Sequence, residues 1–178
     1  MLEISVGKYT FYCHTPGLPD LYEEYVERAT LAEQIGLSSA EGTSAFLAIG
    51  NPDEWPFLVV AQRCIPGENS GFHPGAIIVP ETDILFIGGG KRLLAYDLKV
   101  LKRLWEDEAS ICFRSWNRSG DVILMSAEDE LAAWDIHASK LWSTFADPPW
   151  SYSVIDDTLM FEMAHETSFF PIRKGPQK

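Results

Sequence analysis

The histidines and cysteines are the side chains of this sequence most able to do chemistry, and their spacing decides which chemistry is open to them. Neither His-x-x-x-His nor Cys-x-x-Cys occurs, so the ligand pairs typical of zinc sites are missing. The four histidines are His14, His73, His137 and His165. The densest local group is Glu162, His165 and Glu166, which a solvated turn explains better than a ligand set does. We expect no metal site and no cofactor.

Motifs for nucleophilic catalysis and phosphate binding are also missing. Cys13 and His14 are adjacent, but neighbours on a strand point to opposite faces and cannot form an attacking pair. Gly88-Gly-Gly-Lys91 has only the composition of a phosphate loop, because the spacing, the following Ser or Thr and the helix are absent. A hairpin turn explains this run better. The sequence favours a protein that is not an enzyme and leaves open an enzyme with a dispersed site.

Acidic side chains dominate the charge. The chain has 14 Lys and Arg against 26 Asp and Glu, a formal net charge of −12. Such a surface repels phosphate backbones and anionic lipids, so we expect neither a nucleic-acid nor a membrane partner. Solubility alone accounts for this charge, and a steering field for a basic protein is the alternative. Two acidic runs near predicted turns form the candidate interface: Glu106, Asp107, Glu108, Glu128, Asp129 and Glu130.

Trp150 is the remaining candidate interface residue. Asp147-Pro-Pro-Trp150 places an aromatic side chain after a stiff turn, from which it can project. An exposed Trp near acidic residues is typical of protein interfaces. The alternative is that Trp150 folds back and caps the core.

The elements that position these residues are predicted to be mainly β-strands. Alternation over Leu2–Val6 and Tyr9–Cys13 predicts an N-terminal hairpin. Apolar residues then recur at helical spacing and predict a helix from about Asp20 to Ile35, with Asp20 near its start and Gly36 at its stop. Strands at Ala45–Ile49 and Phe57–Ala61 and a loop at Pro66–Pro74 complete the first part.

The second part contains an internal repeat. Asp83–Asp97 aligns with Asp121–Asp135, 38 positions later, and each copy is followed by a Leu-Trp pair. Each unit predicts a strand, a turn, a second strand ending in aromatic-Asp, and a further strand at Leu-Trp. The repeated Asp can accept backbone amides of the next turn. A partial third copy begins at Asp157, with Phe169-Phe170 near the second strand.

Ala95-Tyr-Asp97 and Ala133-Trp-Asp135, each followed by a strand with Leu-Trp, resemble the blade repeats of quinoprotein-type and Trp-Asp-repeat β-propellers. The resemblance covers residues 76–171 and implies blade-like hairpins. It carries over no functional residue, because the motif belongs to the scaffold. About 2.5 copies are too few for a complete propeller, which usually has at least four blades.

These patterns predict a mainly β fold, α+β with one N-terminal helix, whose antiparallel hairpins form a large twisted sheet or sandwich. We expect one domain over 1–178, with the hairpin, helix and strands in 1–75, the repeats in 76–171 and a flexible tail at 172–178. Three widely spaced cysteines, no secretory signal and no apolar run of about 18 residues predict a cytoplasmic protein.

Three classes of function remain open. The first is a noncatalytic acidic protein-interaction module, which neutralises a basic partner such as a toxin in the manner of bacterial immunity proteins. The second is a β-domain that binds a small molecule, which a pocket lined by several aromatic residues would favour. The third is an enzyme with a dispersed site, which a cleft gathering His165, acidic residues and an ion would favour.

Overall fold

The computed structural model describes residues 1–64 and 73–177, which form four β-sheets and one helix. The predicted fold class is confirmed: the chain is mainly β, with one helix near the N-terminus and several antiparallel sheets built from hairpins. The predicted loop at 66–74 lies largely outside the described residues. Within the described ranges, no helix has the length and apolar character needed to cross a membrane.

The first sheet, sheet A, contains the helix within its connections. Its elements are β1 (Leu2–Val6), β2 (Tyr9–His14), α1 (Tyr22–Arg28), β3 (Leu31–Ile35), β4 (Thr43–Gly50) and β5 (Leu58–Cys64). The strand order is β1-β2-β4-β5-β3. β1 and β2 form the predicted N-terminal hairpin. All neighbours in sheet A are antiparallel except β3 and β5, which pair in parallel.

The predicted helix over Asp20–Ile35 is wrong in extent, because α1 spans only Tyr22–Arg28. The chain is extended from Ala29 onward, and the N–H of Leu31 donates to the carbonyl of Phe57 at 2.9 Å. The open edge of β5 therefore draws the second half of the predicted helix into a strand, since its backbone groups find partners there. Gly36, with φ of +67°, turns the chain after this strand instead of ending a helix.

The short helix covers one face of sheet A. Tyr22 and Tyr25 are buried against Phe46 of β4, with ring centroids 6.2 and 5.1 Å from it. The residue before the helix is Leu21, and no side chain caps the free amides there. Tertiary packing therefore stabilises this seven-residue helix more than its own ends do.

Three further sheets follow, each a meander of consecutive antiparallel strands. Sheet B contains β6 (Gly75–Val79), β7 (Ile84–Gly89), β8 (Arg92–Asp97) and β9 (Lys102–Glu108). Sheet C contains β10 (Phe113–Ser119), β11 (Val122–Ala127), β12 (Glu130–Asp135) and β13 (Lys140–Phe145). Sheet D contains β14 (Trp150–Ile155), β15 (Thr158–Met163) and β16 (Glu166–Pro171). Four-stranded antiparallel meanders of this kind are the form of propeller blades.

The repeat predicted from sequence is confirmed. β7 and β8 recur as β11 and β12 with the same bounds 38 positions later, and β15 and β16 follow after a further 36. The backbone carbonyls of Asp83, Asp121 and Asp157 each accept an N–H from the turn after the second strand, at 2.8, 3.1 and 2.9 Å. The three units therefore share one register.

The repeated Asp after the aromatic residue has the predicted turn role. The Asp97 carboxylate accepts the N–H groups of Lys99 and Val100 at 2.8 and 3.0 Å. The Asp135 carboxylate accepts those of His137 and Ser139, both at 2.9 Å. Each carboxylate thus fixes the turn that leads into the Leu-Trp strand.

The Gly88–Gly90 run has two structural roles. Only Gly90 lies in the hairpin turn, where its φ of +59° suits glycine. Gly88 lies within β7, where a Cβ would be 2.4 Å from the ring of Phe113. The run therefore serves close packing between sheets B and C as well as the predicted turn.

The sheets are layered in the order A, B, C, D, with an apolar cluster between each neighbouring pair. The cluster between sheets A and B contains Leu47, Val60, Leu85 and Tyr96. The cluster between sheets B and C contains Phe86, Ala95, Met125 and Trp134. The cluster between sheets C and D contains Leu124, Ala133, Leu159 and Phe170. Sheets B and C are thus covered on both faces.

Residues 172–177, predicted as a tail, contact sheet C: the Trp142 indole donates to the carbonyl of Ile172 at 2.7 Å, and its ring lies against Gly175.

Candidate interaction surfaces

The two acidic runs lie together at one end of sheets B and C, which we call the acidic end and define as Glu106–Glu108 and Glu128–Glu130. The first run closes β9, and the second spans the turn between β11 and β12. Ser110, in the link after β9, connects them. Its N–H donates to Glu130 at 3.0 Å and its hydroxyl to Asp129 at 2.7 Å. Two sequence-distant runs therefore form one surface.

Two of the six carboxylates are already paired within the chain. Glu106 contacts Arg92 at 2.9 Å and Arg103 at 3.0 Å. Asp107 contacts Lys140 at 2.8 Å. Partial burial favours a higher pKa for the Asp107 carboxyl, but the hydrogen bonds from Lys140 and from the backbone of Glu108 hold its pKa below the ordinary value. Glu106 and Asp107 therefore stabilise the sheets.

Glu108 and Glu128 differ from Glu106 and Asp107 in their ion pairing. Glu108 is exposed and Glu128 half-buried, and within residues 1–64 and 73–177 neither carboxylate has an ion-pair partner. The backbone of Glu128 is fixed, because its N–H donates to Cys112 at 3.0 Å. These two side chains are the acidic groups best placed to meet a positive charge from outside.

Trp150 lies at the start of β14 and is half-buried. Its indole N–H donates to the carbonyl of Glu128 at 2.8 Å. Its ring stacks on Tyr152 and meets Phe161 edge-on, with centroids 6.3 and 5.7 Å apart. Trp150 thus joins the acidic end to the packing between sheets C and D, and its role in an interface stays a prediction.

The histidines and cysteines are dispersed over the described part of the chain. No group of three His, Cys, Asp or Glu side chains there could hold a metal ion. Cys13, Cys64 and Cys112 are free thiols, and burial raises the pKa of Cys64 to about 11. Glu162, His165 and Glu166 lie exposed around the β15–β16 turn, where Glu162 accepts from Ser151 at 3.0 Å.

A shallow aromatic pocket of about 220 Å³ lies beside the helix. Its aromatic walls are Tyr12, Tyr25 and Trp55, and its acidic residues are Asp53 and Glu54. The sequence did not single out this pocket, because its residues come from β2, the helix and the β4–β5 connection and share no local pattern.

A larger groove of about 590 Å³ runs along the open edge of β16. Phe145 and Phe169 line it and are 65% and 66% exposed. We call it the β16 groove. The repeat contains a sequence signal for it: Phe145 occupies the position of Glu108, 37 residues earlier, so an apolar residue replaces a charged one at an exposed site.

The fold has partial counterparts among solved structures, and the chain spans half their length or less. BamB from Moraxella catarrhalis is 14% identical, with 84% of this chain and 49% of that chain covered and a TM-score of 0.46. Hsv2 from Kluyveromyces marxianus is 8% identical, with coverages of 74% and 42% and a TM-score of 0.43. Hsv2 from Kluyveromyces lactis is 16% identical, with coverages of 54% and 32% and a TM-score of 0.30.

No protein-family model matches the chain, and no curated protein matches it. Because the three TM-scores are below 0.5, the blade-like form of sheets B, C and D rests on the strand order and register of this chain.

Proposed function

We propose that this chain is a noncatalytic protein-interaction module that receives a basic protein at its acidic end. The observation that carries the proposal is the union of the two acidic runs through Ser110. Internal ion pairs use Glu106 and Asp107, while Glu108 and Glu128 remain for a partner. The net charge of −12 extends the field that steers such a partner. Neutralising a basic toxin, as immunity proteins do, is one role of this kind.

The experiment is a pull-down from the native host, followed by surface plasmon resonance with the recovered stoichiometric partner at two ionic strengths. Replacing Glu108 and Glu128 with Gln should slow association roughly three- to tenfold at low salt and flatten its salt dependence. The matched control replaces Glu23 and Glu27 with Gln, since both are exposed, lie on the distant helix and change the net charge equally.

The two variants separate local docking from total charge. If the control slows association as much as the Glu108/Glu128 variant, the steering is global and the acidic end is not the docking surface. If neither variant changes the association rate, the charge serves solubility alone. Melting temperatures of both variants should stay unchanged, because neither pair of carboxylates takes part in an ion pair of the described chain.

The aromatic pocket supports a second candidate function, the binding of a small organic cation. Three aromatic side chains beside two carboxylates suit an alkylammonium group. The Arg28 guanidinium, 4.2 Å from the ring centroid of Trp55, shows that this indole already contacts a cation. Calorimetric titration with tetramethylammonium tests this function. Heat that disappears in Trp55→Ala supports it, and no heat in the unmodified chain excludes it.

A further inference from the structure

Four connections between strands lie side by side at the acidic end. Two are hairpin turns, β7–β8 in sheet B and β11–β12 in sheet C. The other two are the links that leave these sheets, which we call the first link (109–112) and the second link (146–149). The Ala109 N–H donates to the carbonyl of Lys91 at 2.7 Å, and the Ala146 N–H donates to that of Asp129 at 2.8 Å. Each link is therefore fixed to the turn of its own sheet.

The first link is fixed on its other side by the turn of sheet C. Ser110 donates to Asp129 and Glu130 there, and the Glu128 N–H donates to the carbonyl of Cys112 at 3.0 Å. We call Glu128 and Asp129 the acidic turn. Because hydrogen bonds join it to both links, the acidic turn lies between them and the whole forms one surface.

Both links present apolar side chains to solvent beside the acidic turn. Ile111, within the first link, is 40% exposed, whereas the next residue, Cys112, is 2% exposed. Pro148 and Pro149 of the second link are also exposed. Apolar side chains bordered by charged ones are the arrangement of protein interfaces. The acidic end thus offers apolar contact as well as charge.

The charges on this surface are not symmetric. Lys91 lies in the turn beside the first link, Glu128 lies between the two links, and Asp147 lies in the second link. In the described part of the chain, neither Glu128 nor Asp147 takes part in an ion pair. A cation from outside is therefore attracted toward the second link and repelled from the edge that carries Lys91.

We infer that the acidic end receives a protein surface on which a Lys or Arg side chain is flanked by apolar side chains. The cation faces Glu128 and Asp147, and the apolar side chains pack on Ile111 and on the two prolines of the second link. This inference rests on the proposed function and adds the apolar half of the partner to it. Charge speeds the encounter, and apolar contact slows dissociation.

Two acetylated and amidated peptides of equal charge test the inference, Lys-Leu-Lys-Leu-Lys and Lys-Ser-Lys-Ser-Lys. Each is titrated at low salt into the isotopically labelled chain, and backbone amide and indole shifts are followed by NMR. Both should shift the amides of the acidic turn and the indole of Trp150, which donates to the Glu128 carbonyl. The Leu peptide should bind roughly threefold tighter or more, because its apolar side chains leave water at the links.

Protein variants of matched exposure locate the apolar contact. Ile111→Ser should remove the preference for the Leu peptide, and the conservative Ile111→Leu should keep it. Ile4→Ser should keep it as well, because Ile4 is 43% exposed but lies on β1 at the edge of sheet A. Circular dichroism checks that all three variants fold.

The outcomes separate this inference from the proposed function. Equal affinity of the two peptides, or a preference that survives Ile111→Ser, would overturn the inference and leave the acidic end as a purely electrostatic docking surface. A preference that Ile4→Ser also removes would place the Leu side chains elsewhere. Absence of shifts in the acidic turn with either peptide at about 1 mM would overturn both proposals. Shifts at Ile111 that depend on the concentration of the chain alone would identify a second copy as the occupant.

Discussion

At the scale of single residues, the chain separates charged groups that stabilise it from charged groups open to a partner. Tyr9 and Lys8 both contact the Asp83 carboxylate, at 2.7 and 2.9 Å. These hydrogen bonds lower the pKa of Asp83, while burial above all raises that of Tyr9 to about 12. Paired carboxylates of this kind connect sheet A to sheet B, as Asp107 and Lys140 connect sheet B to sheet C.

Asp107→Asn should make the free energy of unfolding less dependent on pH in the acidic range. The folded-state pKa of Asp107 lies below its unfolded value near 3.8, so its contribution is complete above that value and is lost as pH falls through the folded pKa. Urea unfolding between about pH 5 and pH 2 should therefore show a smaller loss of stability in the variant than in the unmodified chain. Ile155→Ala, which removes an exposed side chain without a titratable group, is the control and should follow the unmodified chain.

Trp134→Ala should cost about 3–5 kcal/mol of unfolding free energy, as truncation of a buried aromatic residue does. Trp134 is 1% exposed, stacks on Trp105 at 5.6 Å and meets Trp116 edge-on at 5.4 Å. Chemical denaturation measures the loss, with the exposed Phe145→Ala as control. A loss of unfolding free energy below about 1 kcal/mol would mean that the packing of sheet B on sheet C does not depend on these three Trp rings.

At the scale of elements, the repeat was predictable and its surroundings were not. Asp83, Asp121 and the aromatic-Asp pairs recur at a fixed offset, so strand bounds and turn chemistry follow from the alignment. β3 could not be found in this way. Leu31–Ile35 has helical spacing, and only the distant edge of β5 makes it a strand. The candidate surfaces likewise depend on contacts such as Ser110 with Glu130, which no local pattern specifies.

Sheet D differs from sheets B and C in the residues of one face. The face that sheets B and C bury with apolar residues is formed there by Thr158, Met160, Thr167 and Phe169. Thr158 and Thr167 stand where sheet C has Val122 and Leu131, both fully buried. Phe169 is the exception, an aromatic side chain that is 66% exposed on this face.

Asp97→Ala and Asp135→Ala should cost similar amounts, about 1–2 kcal/mol each, because each removes a carboxylate that accepts two backbone N–H groups in an equivalent turn. Asn at either position should recover part of the loss, since its carbonyl oxygen still accepts. Equilibrium urea unfolding measures all four variants. Asp20→Ala serves as the exposed control, and clearly unequal costs for the two turns would contradict their equivalence.

At the scale of the whole molecule, stability is distributed along the layers. Among residues 1–64 and 73–177, sheets B and C are covered on both faces and sheet D on one. Hydrogen exchange followed by mass spectrometry should therefore find the slowest exchange in β7, β8, β11 and β12, and faster exchange in β14 and β16. Protection of sheet D equal to that of sheets B and C would show that the layers unfold only as one unit.

The indole hydrogen bonds between layers also set an order in time. Trp105 of sheet B donates to the carbonyl of Ala138, 33 residues later, and Trp142 of sheet C donates to that of Ile172, 30 residues later. At about 5–20 residues per second, a ribosome completes each acceptor roughly two to seven seconds after the indole it serves. During synthesis from Trp105 to Ala138, and again from Trp142 to Ile172, the nascent chain therefore carries an indole whose acceptor does not yet exist, and the indole hydrogen bonds of sheets B and C form only after strands of the next layer have been translated.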